Sequence, residues 1–148
     1  MNRTYHHRLI LPTDSNHHGT LYAGSLLRIT LEAAYATAYR EIGAEANLVL
    51  RRVHNIECLR PVPVGTVIEI QGLVIQRSSA YLVTGLIGTP LQESDGPWLE
   101  ALLGFAQVDS QGRAVRLPEC PSEPEIPEEP GWEKLVNRLD KLSQLRRG

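Results

Sequence analysis

The stretch that most constrains this chain runs from residue 12 to residue 42, PTDSNHHGTLYAGSLLRITLEAAYATAYREI. It holds a polar turn, a glycine-bearing bend, and the one long helical pattern in the first hundred residues. Apolar or small side chains recur at Leu26, Leu27, Thr30, Ala33, Ala34, Thr37, Ala38 and Ile42. That spacing predicts a helix buried along one stripe. The second half of the stripe carries little bulk, so the helix backbone can lie close to whatever covers it. Gly43 is a stop signal. Beyond it the pattern turns to strands, and a sheet needs a cover for one face. This helix is the predicted cover.

Strands are predicted at 5–11, 46–59, 66–76, 79–88 and 98–108, with a short pairing at 114–117. Pro12 ends the first, and Pro61, Pro63 and Gly65 punctuate the end of the second. Gly72 suggests a bend or bulge. Residues 89–97 read as a polar loop and 109–112 as a turn. Short connections imply antiparallel neighbours. The expectation is an α+β domain, a curved antiparallel sheet wrapped on one helix. Apolar residues fall on both faces of the sheet. Val67, Leu73 and Ile75 alternate with Ile68, Ile70 and Val74; Leu99, Ala101, Leu103 and Phe105 alternate with Leu102, Ala106 and Val108. One helix covers one face, so a partner subunit is expected on the other.

The chain divides into a domain at 1–118, a Pro/Glu-rich linker at 119–131, and a C-terminal amphipathic helix at 132–148. Trp132, Leu135, Val136, Leu139, Leu142 and Leu145 make the apolar stripe of that helix. Glu133 and Asp140 interrupt its basic side, which favours a docking or oligomer helix over a membrane or nucleic-acid helix. Removing the tail is expected to leave the domain folded.

Fifteen basic and 17 acidic side chains give a net charge of −2, which excludes a general nucleic-acid binder. Cys58 and Cys120 have no paired spacing and suit a reducing compartment. No apolar run reaches membrane-spanning length and no signal core is present, so a cytoplasmic protein is expected. The adjacent pairs His6-His7 and His17-His18 do not have zinc-ligand spacing, and no metal site is expected. A G-x-S-x-G elbow and a Gly-rich phosphate loop are both missing.

The densest chemistry lies at the helix start. Asp14, Asn16, His17, His18 and Thr20 precede the helix, and Glu32 sits inside it. A helix N-terminus presents unpaired N–H groups that can hold a developing oxyanion. Glu32 is either a working carboxylate or a solvated neighbour of Arg28, four residues earlier. Asn16 and Asp14 are either site residues or turn formers.

The run Asn16-His17-His18-Gly19-Thr20-Leu21-Tyr22-Ala23-Gly24-Ser25-Leu26-Leu27 resembles the signature of hot-dog-fold acyl-CoA thioesterases. Residues 58–65, CLRPVPVG, and 74–79, VIQRSS, resemble later segments of the same family in the same order. The likeness covers roughly residues 8 to 118. It implies a helix as sausage in a sheet as bun, subunits paired edge to edge, active sites between subunits, and a homodimer, tetramer or hexamer. The implied activity is hydrolysis of acyl-CoA to free acid and coenzyme A, with no cofactor and no metal. Asn16 and Glu32 are then the catalytic candidates, with helix-start amides near Tyr22 to Gly24 as oxyanion donors. His18, Gly19, Thr20, Gly24, Arg60, Arg77, Ser78 and Ser79 are the substrate-binding candidates, the arginines with Arg51 and Arg52 for phosphates. One departure stands out: the family's helix acid falls where this chain has Leu31, with Glu32 next to it. A non-catalytic acyl-CoA-binding protein is the alternative this suggests. A hot-dog dehydratase or hydratase is another, with His17 or His18 paired to Glu32.

Overall fold

The computed structural model describes residues 3–92, 96–119 and 122–147. The elements in chain order are β1 (Thr4–Leu9), a single 3₁₀ turn (Pro12–Asp14), α1 (Ala23–Ile42), β2 (Leu48–Cys58), β3 (Val67–Arg77), β4 (Leu82–Pro90), β5 (Leu99–Val108), β6 (Ala114–Val115) and α2 (Pro130–Arg147). All pairings are antiparallel, in the order β1-β3-β4-β5-β2, with β6 also on β5. The predicted 89–97 loop is shorter at its start, because β4 runs on to Pro90. The rest of it includes residues 93–95, outside the described residues, as is Cys120.

One expectation about order needs correction. β2 does not lie beside β3; it crosses to the far edge and pairs with β5. Backbone contacts along the connection hold the route. Residues 59–66 run beside the turn that precedes α1, with Thr20 bridging Pro63, Leu21 N donating to Val62 O at 2.8 Å, and Val64 N donating to Gly19 O at 3.0 Å. α1 thus sits between the two halves of the sheet's wrap.

The two apolar faces are real, and each has its own cover. Ile68, Ile70, Val74, Leu99, Ala101, Leu103 and Phe105 pack with Leu26, Ile29, Ala33, Ala34 and Ala38 of α1. Leu73, Ile75, Val83 and Leu102 pack instead with Trp132, Leu135 and Leu139 of α2. The face expected to meet a partner subunit is therefore covered by the chain's own C-terminal helix. Trp132 reaches it because Gly85 has no side chain: a Cβ there would stand 3.2 Å from the Trp132 ring. A buried ion cluster adds direction. Glu100, 3 % exposed, receives Arg138 at 2.8 Å and Lys134 at 3.4 Å, while Arg138 also donates to Asn55 at 2.9 Å.

Gly72 marks a close approach and not a bulge. The Thr4 and Thr37 hydroxyls meet over it at 2.6 Å, leaving no space for a Cβ. The register shifts fall elsewhere, between Val74 and Gln76 on β3 and at two places on β2 that leave Arg51 and His54 unpaired.

Candidate active site

The segment before α1 is a closed turn. Asn16 Oδ1 accepts the amides of His18 at 2.9 Å and Thr20 at 3.2 Å, and its Nδ2 donates to Thr20 Oγ1 at 3.1 Å. Gly19 takes φ +75°, the conformation that glycine adopts without strain. His17 and His18 are exposed, their ring centroids 3.8 Å apart. Asp14, 2 % exposed, anchors the turn to its surroundings. It accepts the Leu11 amide at 3.0 Å and Arg8 at 2.9 Å, and pairs ionically with Arg28 at 3.7 Å. The Leu11 amide first, and then Arg8, hold its carboxyl below the usual range against the opposing effect of burial.

α1 begins without a side-chain cap on Tyr22. By helix geometry, the amides of its first turn have no partner within the helix. Gly24 sits under the Tyr22 ring, where a Cβ would collide with that ring. The sequence-predicted set His18, Gly19, Thr20 and Gly24 is thus assembled around Asn16 and the α1 start.

Glu32 lies elsewhere. From Gly24 to Glu32 is eight residues, about 12 Å of helix. Glu32 lines a pocket of 330 Å³ with His6, His7, Arg8, Ile29, Ala33, Ala36, Ile68 and Ile70, on the β1–β3 side of α1. Among the described residues no hydrogen bond or ion pair reaches it; the Arg28 that sequence spacing offered turns to Asp14 instead. Leu31, 100° away around the helix, is half-buried against the main core. Tyr35, one turn further along, meets the Phe105 ring of β5 edge-on, with centroids 6.1 Å apart. The two neighbours therefore look toward opposite edges of the sheet.

The basic candidates are scattered. Arg60 donates to Gly96 O. Arg77, its side chain 8 % exposed, donates to Pro118 O and reaches Glu41 at 3.5 Å. Ser78 and Ser79 form the β3–β4 turn and share a pocket of 540 Å³ with Arg77, Arg116 and residues of the linker. Arg51 and Arg52 are exposed on β2. Sequence reasoning passed over Arg116, weighed His6 only as a metal ligand, and passed over Arg8. The last two had a readable signal: with Thr4, they put polar side chains on alternate positions of β1, the face that meets the helix. Among the described residues, no three His, Cys, Asp or Glu side chains are grouped to hold a metal, and no helix is long and apolar enough to cross a membrane.

No protein-family model matches this sequence, and no curated protein matches it. Solved structures do. An apo hexameric acyl-CoA thioesterase is 23 % identical, covering 99 % of this chain and 91 % of its own, at a TM-score of 0.78. An acyl-CoA hydrolase from Staphylococcus aureus, solved with butyryl coenzyme A and coenzyme A, is 20 % identical over 99 % of this chain and 84 % of its own, at 0.77. A hexameric thioesterase from Yersinia pestis is 25 % identical over 76 % and 93 %, at 0.69. The chain has the hot-dog fold, and its structural neighbours are acyl-CoA hydrolases and thioesterases. The Staphylococcus aureus hydrolase was also solved with an asparagine, and separately an aspartate fifteen positions later, exchanged for alanine.

Proposed function

We propose that this chain hydrolyses acyl-CoA thioesters to the free acid and coenzyme A. The observation that carries this is likeness over nearly the whole chain, C-terminal helix included, to solved acyl-CoA hydrolases. Glu32 is the base or nucleophile, and the first amides of α1 polarise the thioester carbonyl. Asn16 holds the turn that presents those amides. Because about 12 Å separates Glu32 from Gly24 along one helix, one chain cannot aim both at a single carbonyl. The site is completed by a second copy, with amides from one chain and carboxylate from the other. Arg77, Ser78, Ser79 and Arg116 around their pocket, and Arg60, are the groups offered to the coenzyme A phosphates. Water is the other reactant, and this reading calls on no metal or cofactor. A cytoplasmic location is part of this reading and keeps the exposed Cys58 thiol reduced.

The second copy has a surface to bind. Leu27, Tyr35 and Tyr39 make an exposed apolar stripe on α1, continuing through Leu31, and Val49, Leu50 and Val53 are exposed on the free edge strand β2. An edge strand with apolar flanks is a pairing surface. Sedimentation equilibrium at micromolar concentration should give a dimer or larger. A stable monomer would remove the composite site.

A second reading has its own support. Fifteen positions after Asn16 this chain has Leu31, and a leucine packed on the core can neither take a proton nor attack a carbonyl. In that reading the chain binds acyl-CoA and does not cleave it. Free-thiol release over short, long and aromatic acyl-CoAs separates the two: turnover favours the hydrolase, and tight binding without turnover favours the binding protein.

A further inference from the structure

Two contacts fix how β1 lies against α1. Thr4, His6 and Arg8 occupy the face of β1 toward the helix, while Tyr5, His7 and Leu9 are exposed on the other. At one end the Thr4 and Thr37 hydroxyls are 2.6 Å apart. At the other, Arg8 and Arg28 share Asp14 at 2.9 and 3.7 Å. Thr4 to Arg8 is about 13 Å of strand. Thr37 to Arg28 is about 13 Å of helix. The lengths match, so the middle of one faces the middle of the other, and His6 falls opposite residues 32 and 33. The pocket lining agrees, since His6, Glu32 and Ala33 all border it.

The charges around this pocket are largely spoken for. Arg8 and Arg28 turn to Asp14, and His7 pairs with Glu69 of β3 at 2.8 Å on the strand's outer face. What remains open is the Glu32 carboxylate and two buried nitrogens without a hydrogen-bond partner, His6 Nε2 and Arg8 Nε. A buried polar atom without a partner at the wall of a pocket points to something that enters the pocket. The floor is apolar, made by Ile29, Ala33, Ala36, Ile68 and Ile70. Burial, assisted by the His7 charge, holds the His6 imidazole below its ordinary pKa, so it stays neutral near pH 7.

We propose that His6 is the positioning partner of Glu32, holding through Nε2 the water that the carboxylate activates. The proposal rests on the reading of Glu32 as the base. In that step Glu32 takes a proton from water as the water oxygen bonds to the thioester carbonyl carbon. The C–S bond then breaks, and the proton passes to the departing sulfur. His6 does not touch the acyl group; it is a positioning residue that keeps Glu32 oriented over an apolar floor. The charged and titratable groups on its side of the strand are Glu32 and Arg28 from α1, Arg8 from β1 and Asp14 from the 3₁₀ turn, while His7 and Glu69 pair on the outer face.

The test is an NMR titration of the His6 imidazole, assigned by its loss in His6→Gln, in the parent and in Glu32→Gln. An ionised carboxylate nearby stabilises the imidazolium, so Glu32→Gln should lower the His6 midpoint by about half a pH unit or more. An unmoved midpoint overturns the pairing, whether or not the protein turns over any thioester. If the parent hydrolyses acyl-CoA, His6→Gln should lower kcat about tenfold with KM unchanged and displace the acid limb of the pH profile. An unaltered kcat and pH profile would overturn the positioning role. A coupled titration in a parent without turnover would keep the pair and discard the hydrolytic reading instead.

Discussion

Glu32→Gln should reduce thioester hydrolysis by a factor of about 10² or more, the usual loss when a positioned acid–base group is removed. The exchange keeps the shape of the side chain and removes its charge. Binding of a non-hydrolysable acyl-CoA should survive, since the basic pocket at Arg77 and Arg116 shares no lining residue with the β1–α1 pocket. Asn16→Ala should slow turnover as well, because Asn16 holds both the His18 and Thr20 amides in the turn before α1. The composite site makes a sharper demand. Two impaired variants, Glu32→Gln and Asn16→Ala, mixed under exchange conditions should recover about a quarter of parent turnover, the share that random pairing of two-fold dimers restores. Turnover equal to the parent in Glu32→Gln would dismiss the catalytic assignment and leave the fold untouched. No recovery on mixing, with exchange demonstrated, would return both groups to one chain.

The second large effect concerns α2. Deleting residues 119–148 should abolish the cooperative unfolding transition of the isolated domain. Trp132, Leu135 and Leu139 are each at most 2 % exposed against the second sheet face. At about 2–3 kcal/mol per buried side chain, their removal approaches the 5–15 kcal/mol that typically holds a whole domain together. The tail was expected from sequence to be dispensable, so this outcome decides between a separate helix and an integral one. A full-length variant tests the ion cluster by itself. Arg138→Ala leaves Glu100 buried with the exposed Lys134 as its remaining charged neighbour, and breaking such a pair costs about 3–5 kcal/mol. Arg138→Ala with Glu100→Gln should lose less, since the stranded charge is gone. A truncated chain that still unfolds cooperatively at its old midpoint would show that α2 lies on the sheet without supporting it.

Local chemistry wrote much of this structure into the sequence. The helix from residue 23 to 42, the period-2 strands, Gly43 as a helix stop and the turn around Asn16 all follow from side-chain spacing and backbone preference within a dozen residues. So does the presence of two apolar sheet faces, because alternation records burial on each side without saying by what. The identity of the covers was not local. That α2 and not a partner subunit lies on Leu73, Ile75, Val83 and Leu102 depends on Gly85 admitting Trp132 and on Glu100 meeting Arg138, contacts between residues dozens of positions apart. Strand order escaped for the same reason: nothing in the prolines of residues 59–66 says which edge β2 will join. The site divided along the same line. The Asn16 turn was legible as a motif, whereas the direction of Glu32 was a matter of helix rotation, and one residue is 100°. The tertiary packing set that rotation: the small face of α1 must lie on the sheet, which sends Leu31 toward β5 and Glu32 toward His6 and β1.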